Sequence, residues 1–293
     1  MLLKRTIKED FIKTFFLILA AVSIFIVFFV IYFLFSESLP AFQEYGFSIF
    51  GDEWSVPREV YKIGAALFGT AIVTIGAMII AIPLGLVVAI YLSEIAPLYV
   101  RTFLKPIIEL LAGIPSIVYG FLGATILVQY LQPTFDLLKG ISLFAGSLVL
   151  GVMALPIIIS ISDDALKAVP RDLKEASLAL GSTKWETIKK ITFPTAISGI
   201  SAAIIMGMGR AIGETMAVSL VVGNIMHIPV PPFDIFESGS TLTSIIALEM
   251  GEATGIQTHS LFACGVILFI IVGSMSVVSN ILKERVEKKY KGG

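Results

Sequence analysis

Arg210 and Glu214, in the stretch MGMGRAIGETMAV, are the pair in this sequence best equipped for chemistry. Apart from these two, the run from Thr195 to Ile225 carries no charge, and Arg210 lies fifteen residues from either end of it. An unpaired arginine at the middle of a membrane span is unfavourable by roughly 2.5 to 3.5 kcal/mol even on insertion scales, so something must compensate it. A spacing of four on a continuous helix puts Glu214 on the same face, where the two charges partly neutralise each other. The guanidinium presents a planar fork of donors that fits an oxyanion. The carboxylate either holds that fork in place or accepts the proton of a hydrogen-bearing oxyanion such as hydrogen phosphate. Sulfate, fully deprotonated, would set acceptor against acceptor. Gly207, Gly209 and Gly213 leave space beside the arginine for a ligand or another helix. A structural ion pair locking two helices is the competing reading. The glycine pattern is not a dinucleotide fingerprint, because it lies inside an apolar run and follows no strand.

The elements that must position this pair are membrane helices. The chain has 293 residues, of which 56% are hydrophobic and 15% charged. Its mean hydropathy is +0.93, and soluble domains carry about a quarter charged residues. Apolar runs at 14–36, 63–93, 106–131, 141–162, 195–225 and 260–282 predict six transmembrane helices and an all-α membrane protein. The first run is too long for a signal-peptide core and lacks a small-residue cleavage site, so it reads as a retained span. An even number of spans puts both termini on one side. With the termini inside, 17 of the 21 basic residues are cytoplasmic and only Arg58, Lys62 and Lys139 lie outside, so the termini are expected in the cytoplasm. No repeat or linker divides 1–293, which reads as a single transmembrane domain.

Other features are less directive. Pro83 and Gly85 interrupt the second run, and Gly113, Pro115, Gly120 and Gly123 crowd the third, as either a moving pathway or close static packing requires. Glu109 reads as a snorkelling or locally paired residue near the cytoplasmic end of its span. Trp54 and Tyr61, in the outer segment, are candidates for the membrane interface. The outer stretch TLTSIIALEMGE has helical spacing of Leu242, Ile245, Ile246 and Leu248. Cys264 is the only cysteine, and His227 and His259 have no acidic or cysteine neighbours at ligand spacing, so neither a disulfide nor a metal cluster is expected.

The longest charged segment, 163–194, faces the same side as the termini. Pro170 suits the first position of a helix, and Leu173, Ala176 and Leu180 then make one apolar stripe. Gly181 suits the helix end. Thr183 and Glu186 have capping-box spacing for a second helix carrying Trp185, Ile188 and Ile191. Pro194 closes the unit and opens the next apolar run. Glu175, Ala176, Ser177, Gly181, Ile191, Phe193 and Pro194 stand at the spacing of the EAA loop of ABC-importer permeases, which this segment resembles. Ser177 and Phe193 replace the second alanine and the leucine of that pattern. The resemblance implies a coupling helix, with Glu175, Ala176, Ser177, Gly181, Ile191 and Pro194 in the contact with a cytoplasmic ATPase. An ordinary solvated amphipathic loop is the alternative.

RAIGETMAV, AIPLGLVVAIYLSEIAP and GIPSIVYG narrow the likeness to the PstC-type permeases of the phosphate ABC importer. That resemblance implies a MetI-like type I importer fold and places Arg210 and Glu214 on the phosphate pathway. It further implies a heterodimer with a PstA-type permease, a PstB-type ATPase dimer, a PstS-type phosphate-binding protein outside, contact with membrane lipid and none with nucleic acid. The location it implies is a prokaryotic inner or plasma membrane. The chain has no G-x-x-x-x-G-K-[ST] loop, so it is read as no enzyme and as holding no cofactor, with ATP and magnesium on the partner ATPase. A permease for sulfate or molybdate, and an ion-coupled secondary transporter using Arg210 and Glu214, are the rival functions. The EAA-like spacing weighs against the second.

Overall fold

Backbone groups in hydrocarbon have no water to bond, so apolar runs of this length must satisfy them internally as helices. The computed structural model describes residues 2–232 and 234–291. The helices are α1 (Leu2–Tyr45), α2 (Gly64–Ile95), α3 (Leu98–Ala112), α4 (Ser116–Thr134), α5 (Leu143–Lys167), α6 (Arg171–Ala179), α7 (Lys184–Ile212), α8 (Met216–Val221), α9 (Leu242–Glu249) and α10 (Ile256–Lys291). Five are long and apolar enough to cross a membrane, and the bent pair α3–α4 makes a sixth crossing if counted as one span. The basic side chains at Lys4, Arg5 and Lys8 and from Lys283 onward, which carry much of the orientation argument, lie outside the described residues.

Several boundaries differ from the apolar runs. The run 106–131 is divided at Gly113-Ile114-Pro115, where the chain turns by 91°. Proline disfavours helical backbone at the residue before it, which ends α3. Pro106 and Glu109 therefore belong to α3, a helix that also carries Arg101 and Lys105. Pro83, by contrast, lies inside an unbroken α2. Helix α5 continues to Lys167, so Asp163 and Asp164 end a span rather than open the loop. Lys105 of α3 is held there, 2.8 Å from Asp164 Oδ1 and 3.4 Å from Asp163 Oδ2, and Lys167 also pairs with Asp163.

Small residues set how closely the central helices approach. A methyl group on Gly85 of α2 would meet Ile158 Cγ2 of α5 at 2.7 Å, and one on Gly207 of α7 would meet Ile158 Cγ1 at the same distance. Val73, Ala77, Leu150, Ala154 and Ile158 are buried where α2 and α5 meet, and Ala211, Val218 and Val221 join them. Away from the segment 163–194, Ile49, Ile63, Leu242, Ile245 and Leu261 form a second core under a hairpin, β1 (Trp54–Ser55) paired antiparallel with β2 (Val60–Tyr61). Trp54 and Tyr61 are part of this cap. Their rings meet edge to face at 5.1 Å, Tyr61 is buried, and the Trp54 indole N–H donates to Glu249 Oε2 at 3.0 Å.

Gly69 marks the tightest approach of α2 to the outer segment, since a methyl group there would lie 2.0 Å from the Ser240 carbonyl oxygen. Backbone cannot step aside as a flexible side chain can. Gly69→Ala is expected to destabilise the protein by about 3 kcal/mol, the upper range of overpacking effects. Gly209→Ala, at a glycine with open space around it, should leave the thermal midpoint in detergent unchanged or slightly raised. Equal midpoints for the two variants would refute the close approach.

Candidate functional site

Arg210 stands in the last turn of α7, and the helix ends two residues later. Gly213 takes the C-cap, its N–H donating to the Gly209 carbonyl at 3.1 Å, and Glu214 and Thr215 are irregular before α8 begins. The expected single helical face through both charges is thus replaced by a helix break between them. The pair forms nonetheless: Arg210 Nη2 lies 3.6 Å from Glu214 Oε2. Gly213 permits the break, having neither a side chain to pack nor a helix former's backbone preference, and Glu214 accepts the Ala217 N–H on Oε1 at 3.3 Å.

The two partners differ in access. The Arg210 side chain is 46% exposed and that of Glu214 5%. A contact of 3.6 Å is an ion pair but too long for a hydrogen bond, and among the described residues the guanidinium makes none. Its donors are therefore available on the exposed flank, with the carboxylate bracing it from the protein side. Gly209 has open space beside it, whereas Gly207 is filled by Ile158.

Residues outside the MGMGRAIGETMAV stretch complete the site. Thr243 Oγ1 donates to the Glu214 carbonyl at 2.7 Å, across 29 residues of sequence. Thr243 is fixed by the capping box of α9, in which Thr241 and Ser244 satisfy each other's backbone. Thr70 of α2 accepts the Leu242 N–H at 2.9 Å. Thr70, Thr74, Ser240, Thr241, Thr243 and Ser244 are all buried. The space that several of them share with Glu214 admits no water-sized sphere. In the sequence Ser240, Thr241, Thr243 and Ser244 read as part of an outer segment, and Thr70 and Thr74 as part of the second apolar run. The helical spacing of Leu242, Ile245, Ile246 and Leu248 was the signal for α9, but nothing local pointed from Thr243 to Glu214.

The second candidate surface is the segment 163–194. Pro170 precedes α6 as its N-cap, with ψ 134°, instead of occupying the first helical position. Gly181 adopts φ +86°, the left-handed conformation that suits glycine. The Thr183–Glu186 capping box forms, and the Thr183 backbone N–H holds the Glu186 carboxyl below its ordinary range. From there α7 runs without a break through a π-helical turn at Ile188–Thr192 and on past Pro194. The wider turn absorbs the hydrogen bond that Pro194 cannot donate, so Pro194 lies within a helix and Ile191 within the π turn. Both are half-buried.

The stripe of Leu173, Ala176 and Leu180 faces outward, as do Glu175 and Leu178. The inward contact is made by Ser177, whose hydroxyl lies 3.0 Å from that of Thr187, both buried. A serine that reads as a minor departure from the alanine pattern is thus half of a buried hydroxyl pair. Trp185 is exposed while Ile188 is buried, so the second helix does not bury one continuous apolar face.

Residues 81–292 match a family model described as the binding-protein-dependent transport system inner membrane component. The chain is 44% identical over 213 residues to a probable ABC transporter permease protein, YqgH, of Bacillus subtilis (strain 168), covering 72% of this chain and 68% of that one. It is 37% identical over 294 residues to the phosphate transport system permease protein PstC of Pasteurella multocida (strain Pm70), covering 94% of this chain and 88% of the relative. Among solved structures, a chain of a bacterial alginate ABC transporter in complex with an alginate-bound periplasmic protein superposes with a TM-score of 0.65 at 16% identity. That match covers 94% of this chain and 97% of the other, a likeness of fold alone.

Proposed function

The chain belongs to the family of binding-protein-dependent transport system inner membrane components, and from that premise we propose that it is the permease subunit of an ATP-driven importer that moves inorganic phosphate into the cytoplasm. Near full-length similarity to a phosphate permease carries this reading. A half-exposed guanidinium braced by a buried carboxylate supports it. Arg210 binds the dianion through its fork, and Glu214 Oε2, the carboxylate oxygen nearest the arginine, accepts a hydrogen bond from the hydroxyl of hydrogen phosphate. Sulfate carries no such proton, so the same oxygen repels it.

The remaining parts lie on other chains. A PstA-type permease forms the other half of the pathway, and a PstS-type protein delivers phosphate to the outer cap. A PstB-type ATPase dimer, holding ATP and magnesium, meets the exposed face of α6 in the cytoplasm, where both termini also lie. The setting is the inner or plasma membrane of a prokaryote.

Radiolabelled phosphate uptake into proteoliposomes holding the whole complex, with ion gradients collapsed, tests this. Uptake should require ATP, and a tenfold excess of sulfate or molybdate should change its rate by less than about twofold. Uptake that follows an imposed ion gradient without ATP would make the protein a secondary transporter. Strong competition by sulfate would assign it another oxyanion.

A further inference from the structure

Helix α6 is held to the rest of the protein by one buried and one largely buried contact. The Ser177–Thr187 hydroxyl pair ties it to α7, its neighbour in sequence. The other contact reaches further. Lys174 Nζ lies 2.7 Å from Glu94 Oε1 at the cytoplasmic end of α2, with side chains only 20% and 10% exposed, and it also donates to the Leu166 carbonyl at 3.3 Å. Among the described residues this is the only ion pair from α6 to any span.

Glu94 is well placed to receive a force. It lies in a π-helical turn, Tyr91–Ile95, that ends α2. The carbonyls of that turn are tied to α3 by Arg101, whose Nε donates to Leu92 O at 2.8 Å and Nη2 to Ser93 O at 2.6 Å. From Glu94 the helix runs without a break to Thr70, 24 residues away, roughly 36 Å at 1.5 Å per residue. At that far end Thr70 accepts the Leu242 N–H, and Thr243, the next residue, holds the Glu214 carbonyl. One rigid element thus joins the cytoplasmic helix to the backbone that carries the buried partner of Arg210.

We propose that Lys174 and Glu94 form the joint through which movement of α6 is delivered to α2, and that α2 carries it to the Arg210–Glu214 pair. The proposal rests on the transport reading above and deepens it. Lys174 and Glu94 are positioning residues that touch neither phosphate nor ATP. A purely structural ion pair would hold α6 in place without linking its motion to the distant site.

The test uses the complete complex in proteoliposomes, comparing wild type with Glu94→Gln, Lys174→Met and the exchanged pair Glu94→Lys with Lys174→Glu. Each single variant should lower the phosphate imported per ATP hydrolysed by about fivefold or more, while a cysteine cross-link from Ala179 to the ATPase still forms. The exchanged pair should recover most of the ratio. Spin labels at Ile79 of α2 and Val277 of α10, both exposed, supply a second readout that needs no substrate. Their separation should change with ATP in wild type and in the exchanged pair but not in the single variants. An unchanged import ratio together with an intact ATP-driven distance change in both single variants would overturn the joint, as would loss of the Ala179 cross-link or failure of the exchanged pair to recover. If wild type imports no phosphate yet shows the distance change, and the single variants lose it, the joint stands and the phosphate reading fails.

Discussion

Arg210→Gln is expected to abolish phosphate uptake, by at least about 100-fold, while ATP hydrolysis and assembly of the complex persist. The size follows from what glutamine removes. Each hydrogen bond from a charged donor contributes about 1.5 to 3 kcal/mol, and a bidentate fork makes two. The selectivity follows from the geometry. Arg210 is half-exposed and makes no hydrogen bond of ordinary length among the described residues, and its contact to Glu214 is 3.6 Å, so little of the fold depends on it. Glu214 keeps the Ala217 N–H after the substitution. Arg210→Lys should retain part of the rate, because it preserves the charge but not the planar fork. Initial rates of radiolabelled uptake, set beside ATPase rates in the same vesicles, decide the matter. Normal uptake by Arg210→Gln would make the pair a structural ion pair and move the phosphate contact to another chain.

The features legible in the sequence were those governed by neighbours along the chain. Composition alone predicted helices, because the bilayer leaves few alternatives. The caps at Gly181 and at Thr183–Glu186 were readable because each is settled within four residues. Arg210 and Glu214 were recognisable as partners because a charge at mid-span needs one.

What escaped were effects of proline and glycine whose outcome depends on tertiary surroundings. Pro115 breaks its helix, whereas Pro83 and Pro194 do not. The residue type is the same in each case. Pro194 is relieved by a π turn that no local pattern announces. Gly213 ends α7 because Glu214 finds the Ala217 N–H and Thr243 finds the Glu214 carbonyl. Such a choice is made by partners 29 residues apart, and spacing rules for a single helix do not contain it. The inward role of Ser177 was hidden in the same way, since its hydroxyl partner, Thr187, lies on the next helix.

The same division between inward and outward faces of α6 governs the second large effect. Leu180→Glu is expected to detach the ATPase and lower uptake by at least about 100-fold, because losing a buried leucine costs roughly 1.5 to 3 kcal/mol and a carboxylate placed in an apolar contact costs more. Leu180 is 88% exposed in the permease chain alone, so the substitution removes nothing from its core. Helix α6 remains anchored from behind by Ser177–Thr187 and Lys174–Glu94. Leu138, 98% exposed in the segment between α4 and α5, tests whether any surface leucine would behave alike. Leu138→Glu should leave both assembly and uptake intact, since in the proposed arrangement the ATPase approaches from the other face. Co-purification of the ATPase with each variant, followed by uptake, measures the difference. An intact complex with Leu180→Glu would mean that the exposed ridge of Leu173, Ala176 and Leu180 is a solvated face, and the contact with the ATPase would have to be sought elsewhere in 163–194. Loss of the complex with an unchanged thermal midpoint for the isolated permease would locate the energy of association on that ridge, because no inward contact has been altered.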